Sequence, residues 1–554
     1  MNVTTHLVSS LAKIFPNEDF SARPKYSGAS ALRGERFAFQ MAYRYTEGWG
    51  GMVRAETESD LNPYIELRRS ELAPVLHAGY SFDDDVLGRE PGLYPDVLFP
   101  CDGDFRLAPN QWRTIWITVN VPKDLKPGKY KIKVRVFMPA ANPVEESLGE
   151  ETFTLEVLDA VLPDQELIVT HWFHADCIAV QYGVPVFSEA HWKLLDAYFK
   201  SFAAHGSNML LTPVFTPPLD TAVGGERPTT QLVKVTVTKG KYSFDFTQLD
   251  RWIKLAKKNG VKYFEISHLF TQWGAAFCPK VIATVDGKEK RIFGWDVASD
   301  SKEYTEFLDA FLPELVKFLK ARRLQKCTFF HCSDEPGMNH IEMYRKAVTI
   351  LRKHTAGFRV CDALSNVEFY KNGLVTTPIP AENHIEPFVE AGVKPLWTYY
   401  CCGQVDKVSN RFLHMPSSRN RIMGSLLYRY DCEGFLQWGF NFWYSCLSLH
   451  PVDVYADTSS DYAFPPGDGF MVYPGRDGKP VESIHHEVFS EGIQDLRALR
   501  LLESMIGRAK VAAMLDKLSP GGKMTMTEYP RGEEAVLALR GKINSLIRKH
   551  AAKA

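Results

Sequence analysis

TFFHCSDEPG, residues 328–337, joins a short apolar run to two adjacent carboxylic acids, Asp334 and Glu335, and then to a Pro-Gly turn. A short run of this kind bounded by turn residues is typical of a strand that is buried in a parallel sheet. Acidic side chains at the carboxyl end of such a strand lie where α/β barrels carry their catalytic groups. The stretch therefore predicts a parallel sheet and makes Asp334 and Glu335 candidate catalytic residues.

Strand-like and helix-like segments alternate on both sides of this stretch, between residues 163 and 482. Eight segments have the composition of buried strands: LIVTHWF (167–173), NMLLTPVF (208–215), VKYFEISHLF (261–270), CTFFHCSDEP (327–336), FRVCDALS (358–365), GLVTTPIP (373–380), VKPLWTYYCC (393–402) and GFLQWGFNFW (434–443). Because a helical pattern follows most of them, the alternation predicts an α/β protein with a (β/α)8 TIM barrel. A doubly wound open sheet is the alternative, but the glycine-rich phosphate loop that it would need after an early strand is not present in the sequence.

Residues 1–162 have a different pattern, in which apolar and polar residues alternate. TIWITVNVP (114–122) alternates in this way, and so does the run at 129–138 that follows a Pro-Gly turn. Period-2 runs at this spacing predict a β-sandwich that precedes the barrel at 163–482. The last stretch, 483–554, predicts a C-terminal helical segment that packs on the barrel.

The composition limits the classes of partner. The formal net charge is -1, so no overall field would attract nucleic acid or an anionic membrane surface. No stretch approaches about 18 uninterrupted apolar residues, so no transmembrane helix is expected. The N-terminal stretch MNVTTHLVSSLAKIFPNEDF lacks the basic and apolar regions of a signal peptide, which predicts a cytoplasmic protein with reduced cysteines. Since no motif for metal binding is present, neither a metal nor a cofactor is expected.

The adjacency of Asp334 and Glu335 limits the chemistry that they could perform. Glycosidases with two catalytic carboxyl groups need them about 5 Å apart for retention or roughly 6.5 to 9.5 Å apart for inversion, usually on different strands. An adjacent pair fits a substrate-assisted mechanism, in which the 2-acetamido oxygen of the sugar is the nucleophile. Glu335, with the longer reach, would be the general acid/base, and Asp334 would stay ionised and orient the acetamido group. The alternative is that the pair is an acidic cap at the entry of the next helix.

Three features occur together in this chain: a strand that ends in SDEP (333–336), the aromatic strand GFLQWGFNFW (434–443), and GDGFMVYPG (467–475) followed by SEGIQDLRAL (490–499). With them the chain resembles glycoside hydrolase family 123 and related β-N-acetylgalactosaminidases. The resemblance extends over residues 34–503 and includes the preceding β-sandwich. The chain departs from the family at HHEVFSEG (485–492), where an Arg-Leu-Glu sequence is usual.

The resemblance implies an exo-acting, retaining enzyme that removes terminal β-GalNAc with the help of the substrate and without a metal or cofactor. It also implies that Asp334 stabilises the oxazoline intermediate and that Glu335 is the acid/base. The implied partner is a glycan with a terminal β-linked N-acetylhexosamine. For the β-sandwich, packing against the catalytic domain and helping to bind glycan are both open.

Further pocket residues are expected at the carboxyl ends of the predicted strands, where aromatic side chains could contact the apolar faces of a sugar. The predicted substrate-binding residues are His171, Trp172, His268, Trp273, Tyr399, Tyr400, Trp438, Asn441 and Trp443. One of the two tyrosines could donate a hydrogen bond to the acetamido oxygen. The two histidines could equally be structural. His174, Asp362 and Asn366 also follow predicted strand ends.

Two other functions are compatible with the same residues. A two-carboxylate glycosidase acting on a sugar without the acetamido group would use Glu335 as the acid and Glu265 or Asp431 as its partner. A glycan-binding protein without catalytic activity could be built on the same barrel.

Overall fold

The N-terminal part of the protein consists of two sheets that enclose a common core. The structure is a computed structural model, and it describes residues 3–46, 51–80, 82–139 and 146–551. The strands of this part are β1 (Val3–Ser9), β2 (Gly28–Arg33), β3 (Arg36–Tyr45), β4 (Met52–Glu58), β5 (Ile65–Val75), β6 (Gly92–Pro100), β7 (Phe105–Arg106), β8 (Trp112–Asn120), β9 (Gly128–Met138) and β10 (Glu146–Val161). One sheet has the order β1-β3-β8-β5-β6 and is extended by two short strands within residues 473–483. The other sheet has the order β2-β10-β9-β4-β7. The predicted β-sandwich is confirmed.

Strand β8 shows how one sheet of the sandwich is buried on both faces. Ile115, Ile117 and Val119 lie in the core between the two sheets. Trp116 projects from the opposite face, since successive side chains of a strand alternate, and it is fully buried in the core shared with the barrel. The sandwich and the barrel are therefore in contact through an apolar face.

The remaining strands are β11 (Ile168–His171), β12 (Met209–Thr212), β13 (Lys234–Thr238), β14 (Lys241–Asp245), β15 (Tyr263–Ile266), β16 (Val281–Val285), β17 (Lys288–Phe293), β18 (Thr328–Phe330), β19 (Arg359–Ala363), β20 (Thr377–Ile379), β21 (Leu396–Tyr399), β22 (Cys432–Gln437), β23 (Tyr473–Pro474) and β24 (Pro480–Ser483). Eight of them form one parallel sheet with the order β20-β19-β18-β15-β12-β11-β22-β21. A parallel bridge between Ala381, just after β20, and Tyr399 of β21 joins the two edges into a barrel. Each of the eight predicted segments contains one of these strands, so the predicted α/β barrel is confirmed.

A second, four-stranded sheet with the order β14-β13-β16-β17 was not predicted from the sequence. Its strands lie in the connections that follow β12 and β15. Both connections leave the carboxyl ends of barrel strands, which is the end where barrels of this class bind ligands. The extra sheet therefore enlarges the loops around the candidate site.

The helices are α1 (Ala175–Gln181), α2 (Glu189–Ala204), α3 (Thr247–Lys258), α4 (Lys302–Ala321), α5 (Ile341–His354), α6 (Glu368–Lys371), α7 (Glu386–Glu390), α8 (Ser417–Arg421), α9 (Met423–Tyr430), α10 (Ile484–Ile506), α11 (Arg508–Leu518) and α12 (Glu533–Ala551). Ser188, Ser301 and Ser483 accept a hydrogen bond from the first turn of α2, α4 and α10, as N-cap residues do. Helix α10 packs against α8 and α9 of the barrel and against β6 of the sandwich, and α12 packs against α10, β2 and β10. Among the helices of the described ranges, none has both the length and the apolar character needed to cross a membrane.

Candidate active site

Asp334 and Glu335 follow β18 at the carboxyl end of the barrel, and both line one pocket. Glu335 has a φ of 43°, in the left-handed region that residues other than glycine rarely adopt. Two backbone hydrogen bonds hold this turn. The Glu335 N–H donates to the Ala363 carbonyl at 3.0 Å, and the Trp273 N–H donates to the Asp334 carbonyl at 2.8 Å. Adjacent side chains of a regular strand point to opposite faces, and the left-handed turn is what lets both acids reach the same pocket.

The pocket is open to solvent at its mouth and has a volume of about 660 Å³ when that open space is included. Its lining side chains are Trp172, Leu219, Asp220, Gln272, Trp273, Asp334, Glu335, Ala363, Tyr399, Cys401, Cys402, Leu436, Trp438 and Phe464. Aromatic and aliphatic groups thus surround a small number of carboxylates. Such a combination suits a ligand that has apolar faces and several hydroxyl groups.

Tyr399, the last residue of β21, orients the Glu335 side chain. Its phenol donates a hydrogen bond to Glu335 Oε1 at 2.5 Å. Burial, followed by the nearby Glu335 carboxylate, raises the pKa of Tyr399 well above its usual value. The phenol therefore stays protonated and remains a donor throughout the physiological pH range.

The surroundings of Asp334 favour its protonated form. Burial raises the pKa of Asp334 well above its usual value, and the negative charge of Glu335 raises it further. Asp362 and Asp220 act in the same direction, whereas His331 lowers the pKa of Asp334. A negative charge on Glu335 therefore opposes the ionisation of Asp334.

A group of buried polar side chains lies behind the acidic pair. His331 Nε2 is 2.8 Å from Glu265 Oε2, and His331 Nδ1 is 3.2 Å from Asp362 Oδ1. Burial opposes a charge on the ring, but Cys361 and the hydrogen bonds with Asp362 and Glu265 raise the pKa of His331 well above its usual value. The ring therefore lies between two carboxylates that favour its charged form, three residues before Asp334.

Two buried carboxylates hold two of the tryptophans that line the pocket. The Trp172 indole N–H donates to Glu265 Oε2 at 3.3 Å, and the Trp438 indole N–H donates to Asp468 Oδ2 at 2.9 Å. Burial raises the pKa of Asp468 to about 6. Asp468 is the acid of the GDGFMVYPG stretch, so one role of that stretch is to position an aromatic side chain of the pocket.

The family model described as the glycoside hydrolase 123 catalytic domain matches residues 172–502, which is more than half of the chain. This protein belongs to glycoside hydrolase family 123. The model of the glycoside hydrolase 123 N-terminal domain matches residues 85–138, within the sandwich. The resemblance that the sequence motifs predict is therefore confirmed.

Two solved structures illustrate what this chain is similar to. A family 123 glycoside hydrolase from Clostridium perfringens, described in a study of glycolipid glycan hydrolysis, has a TM-score of 0.74 at 16% identity and covers 100% of this chain and 99% of its own. At this identity the likeness shows the fold alone. A GH10 xylanase with a bacterial Ig-like domain from termite gut has a TM-score of 0.34 at 12% identity and covers 69% of this chain and 90% of its own. A search of curated proteins gave no match.

Four of the predicted substrate-binding residues line the family 123 pocket: Trp172, Trp273, Tyr399 and Trp438. Their neighbours His171 and Tyr400 do not, because adjacent residues of a strand alternate between the inside and the outside of the barrel. The His171 ring packs against Phe489 of α10 with centroids 4.8 Å apart, and the Tyr400 ring packs against Phe435 with centroids 4.9 Å apart. Both side chains lie in the outer core between the barrel and its helices.

The other three predicted binding residues, His268, Asn441 and Trp443, are also outside the pocket lining. The His268 ring stacks on His331 with centroids 4.3 Å apart. Asn441 exchanges two hydrogen bonds of 2.9 Å with the backbone of His174 and so holds the loop after β11. Trp443 is buried in the core of the barrel and its helices. Of the three, His268 contacts a lining residue, since its ring packs against Trp172 with centroids 5.1 Å apart.

Glu265 and Asp431, the two acids predicted as partners in a two-carboxylate mechanism, lie elsewhere. Glu265 is fully buried and accepts hydrogen bonds from Thr170 and Trp172 in addition to its contact with His331. Asp431 follows α9 and precedes β22, at the opposite end of the barrel from the pocket.

Asp220 is a pocket carboxylate that the sequence did not reveal. Burial raises the pKa of Asp220 to about 6, and its Oδ2 accepts a hydrogen bond from the Leu447 N–H at 3.0 Å. It lies in the irregular connection after β12, where no periodic pattern or motif distinguishes it. Asp468 could have been found, since it is the acid of a motif that the sequence does display.

Two clusters in the described part of the chain combine histidines with carboxylates whose donor atoms lie within 4.8 Å of one another: His268, His331 and Asp362, and His205, Glu482 and His486. In the first cluster both ring nitrogens of His331 already make hydrogen bonds. The second cluster lies where α2 and β24 meet α10. Neither cluster contributes to the lining of the pocket.

Proposed function

We propose that this family 123 enzyme is an exo-acting β-N-acetylgalactosaminidase that releases terminal β-GalNAc from glycans by a retaining, substrate-assisted mechanism. The observation that supports it most is that the adjacent acids Asp334 and Glu335 line one pocket. Adjacent residues are poorly placed to act on opposite faces of a sugar ring, as a two-carboxylate mechanism requires. The acetamido oxygen of the substrate would supply the missing nucleophile.

In the first step, the acetamido oxygen attacks the anomeric carbon and the bond to the leaving oxygen breaks. Glu335 gives its proton to that oxygen as it leaves. Asp334, in its ionised form, accepts a hydrogen bond from the acetamido N–H and offsets the positive charge that develops on the oxazolinium ring. The Tyr399 phenol keeps the Glu335 carboxyl group oriented during this transfer.

In the second step, a water molecule attacks the anomeric carbon from the face that the leaving group has vacated. The Glu335 carboxylate takes a proton from this water, and the bond between the anomeric carbon and the acetamido oxygen breaks. The acetamido group is restored and Glu335 is again protonated. Two inversions at the same carbon give net retention of configuration.

The raised pKa of Asp334 links substrate binding to the correct protonation state. In the free protein, burial and the Glu335 charge favour a proton on Asp334. An acetamido N–H that donates to Asp334 favours its ionised form, so the proton of the pair is then available to Glu335. A sugar without the acetamido group would not produce this state.

The aromatic lining is suited to an acetamido sugar. Trp172 and Trp438 are held in place by Glu265 and Asp468 and offer apolar surface to the C–H faces and the acetamido methyl group. The study of glycolipid glycan hydrolysis on the Clostridium perfringens relative supports a glycan substrate for this chain as well.

Turnover of aryl β-GalNAc and aryl β-GlcNAc by the purified protein tests the proposal. Faster release from the GalNAc substrate is expected, with the β-anomer of GalNAc as the first product in NMR. Folded protein that releases the aryl group from neither substrate would refute the proposed activity.

Substitution of the acidic pair tests the assigned roles. Glu335→Gln is expected to lower kcat by roughly 10² to 10⁴ for a poor leaving group and by less for an activated aryl group, which needs no proton. Asp334→Asn should lower kcat by a large factor for both. A nearly wild-type rate for Asp334→Asn would exclude the orienting role.

A second candidate is a two-carboxylate glycosidase that acts on a sugar without the acetamido group. The observation that favours it is Asp220, a further carboxylate that lines the pocket. A GalNAc-thiazoline inhibitor separates the two candidates. Tight competitive binding is expected for the substrate-assisted enzyme, whereas a two-carboxylate enzyme should bind the inhibitor weakly.

A further inference from the structure

Two exposed aromatic side chains of the sandwich lie on the loop between β5 and β6. Tyr80 is 40% exposed and Phe82 is 63% exposed. Their rings are parallel, with centroids 5.6 Å apart and an angle of 6° between the planes. Since large aromatic side chains gain free energy from burial, a stacked pair left open to solvent is suited to contact a ligand.

The segment that follows this pair is held firmly against the barrel. Asp83 Oδ1 and Arg419 Nη1 form a fully buried ion pair at 2.7 Å. Arg419 Nη1 also donates to the Asp85 carbonyl at 2.7 Å, and the Leu87 N–H donates to the His414 carbonyl at 2.8 Å. Breaking a buried ion pair of this kind is costly. The aromatic pair is therefore adjacent to a fixed part of the interface between the two domains.

The segment that precedes the pair contacts barrel loops next to the catalytic pocket. A Cβ atom at Gly79 would lie 2.8 Å from the His414 ring and 3.8 Å from Pro465, which follows the pocket residue Phe464. The His77 ring stacks on Tyr462 of the same barrel loop, with centroids 6.2 Å apart. The loop thus runs along the border of the pocket.

Groups at the pocket also act electrostatically on the Tyr80 phenol. Burial raises the pKa of Tyr80, and the next contributions come from Cys402, Asp468 and Cys401. Both cysteines line the pocket, and Asp468 holds the Trp438 indole. The phenol of Tyr80 is therefore within electrostatic range of one side of the sugar site.

We propose that Tyr80 and Phe82 form the aglycone subsite, where they bind the sugar to which the terminal residue is attached. This inference rests on the proposed glycosidase function and assigns a glycan-binding role to the β-sandwich. An aromatic face complements the C–H face of a pyranose, and the Tyr80 hydroxyl adds a polar group for a sugar hydroxyl. The occupant is a sugar ring because the subsite continues the pocket to which the proposed function assigns the terminal sugar of the same glycan.

Two substrates with the same terminal sugar test the subsite. The first is methyl β-GalNAc, which places only a methyl group beyond the pocket, and the second is β-GalNAc linked to galactose. Tyr80→Ala and Phe82→Ala are each expected to lower kcat/KM for the disaccharide by about tenfold, and to leave kcat/KM for the methyl glycoside within about twofold. Phe82→Trp should restore the activity on the disaccharide.

Tyr64→Ala is the matched control, because Tyr64 is also 40% exposed and lies on the sandwich, just before β5. It should leave both substrates unchanged. Equal losses on the two substrates, or no loss on the disaccharide, would overturn the subsite. Wild-type protein that hydrolyses neither substrate would overturn the proposed glycosidase function instead, so the two failures are distinguishable.

Discussion

At the scale of single residues, the backbone at Glu335 and the chemistry of the pocket depend on each other. A left-handed residue other than glycine costs on the order of 1–3 kcal/mol. The hydrogen bonds from Glu335 to Ala363 and from Trp273 to Asp334 stabilise this conformation. The last residue of β19 and the loop after β15 therefore supply the hydrogen bonds that keep two adjacent acids in one pocket.

Asp220→Asn is expected to move the acidic limb of the pH profile to lower pH. The reaction needs ionised Asp334, whose pKa is raised by burial, by Glu335, and also by Asp362 and Asp220. Removing one negative neighbour lowers that pKa, so kcat/KM should fall at a lower pH than in the wild type. The measurement is kcat/KM against pH with an aryl substrate.

Asp286→Asn is the control for this prediction. Asp286 is an exposed aspartate in the turn between β16 and β17 and also has a positive φ, of 47°. It should leave the profile unchanged. An acidic limb that stays in place, or moves to higher pH, in Asp220→Asn would contradict the assigned electrostatic role.

Tyr399→Phe is expected to lower kcat by about 10- to 100-fold, since a hydrogen bond to a charged group contributes roughly 1.5–3 kcal/mol. The variant loses the donor to Glu335 Oε1. The loss should be larger for a disaccharide than for an activated aryl substrate, because proton transfer from Glu335 matters more for a poor leaving group.

Tyr400→Phe is the control on the adjacent residue. Its ring lies in the outer core against Phe435, so removal of its hydroxyl should leave kcat within about twofold of the wild type. Similar losses in both variants would show that Tyr399 has no specific role in orienting Glu335.

At the scale of strands and helices, the sequence predicts which segments are strands but not which side chains face the pocket. A barrel strand is buried on both faces, so its residues are apolar or aromatic throughout and no period-2 pattern shows the inner face. For this reason Trp172 and His171, or Tyr399 and Tyr400, are equivalent candidates until the register is known. The structure separates them by register. Trp172 lies an even number of residues after Ile168, and Tyr399 lies two residues after Trp397, so each shares the inner face of the barrel with that residue.

The loops were less predictable than the strands. Asp220 lies in an irregular connection, and the four-stranded sheet of β13, β14, β16 and β17 is inserted between elements of the barrel. Two adjacent acids after a predicted strand can be recognised from the sequence alone. The left-handed turn at Glu335, in contrast, depends on hydrogen bonds to two distant segments. Such long-range contacts leave no local signal.

Glu265→Gln is expected to lower the free energy of unfolding by roughly 3–5 kcal/mol, because it leaves the buried imidazolium of His331 with one partner fewer. The pKa of His331 is higher in the folded than in the unfolded protein. The ring therefore contributes fully to stability at pH values below the unfolded pKa of about 6.5, and this contribution is lost as the pH rises through the folded pKa. The difference between wild type and variant should therefore be largest at about pH 6 and smaller at about pH 9. Urea unfolding at the two pH values measures it.

Glu342→Gln is the control for the same experiment. The Glu342 side chain is 78% exposed on α5, and its substitution should change the free energy of unfolding by less than about 0.5 kcal/mol. If the difference in the free energy of unfolding between wild type and Glu265→Gln grows with pH, the charged state assigned to His331 is contradicted.

At the scale of the whole molecule, the sandwich and the barrel share structural elements. Strand β24 follows the barrel in the chain but pairs with β6 of the sandwich, with Glu482 opposite Leu98. Trp116 of the sandwich is buried in the core that also contains the barrel helices. The division into domains at 1–162, 163–482 and 483–554 therefore stays a prediction from the sequence. Because the three segments share strands and a core, we expect them to unfold together.

The ion pairs of Glu487, in α10, connect the same parts. Its carboxylate accepts hydrogen bonds from Arg36 at 2.8 and 3.1 Å and from Arg68 at 2.6 Å, and its Oε1 is 3.0 Å from His205 Nε2. Burial opposes the charge of Glu487, but Arg36, Arg68 and His205 hold its pKa well below the usual value. The two arginines belong to the sandwich, and His205 follows α2 of the barrel.

Glu487→Gln is expected to lower the free energy of unfolding by roughly 3–5 kcal/mol and to keep a single transition, because two largely buried arginines of the sandwich lose their common partner. Because the pKa of Glu487 is lower in the folded than in the unfolded protein, its carboxylate stabilises the fold at pH values above the unfolded pKa of about 4.3. This stabilisation is lost as the pH falls through the folded pKa. The difference from wild type should therefore shrink below about pH 4.

Glu66→Gln is the matched control, since Glu66 also contacts Arg36, at 3.4 Å, but is 53% exposed, and it should cost less than about 1 kcal/mol. Two separate transitions in circular dichroism and tryptophan fluorescence would contradict the view that α10 couples the sandwich to the barrel.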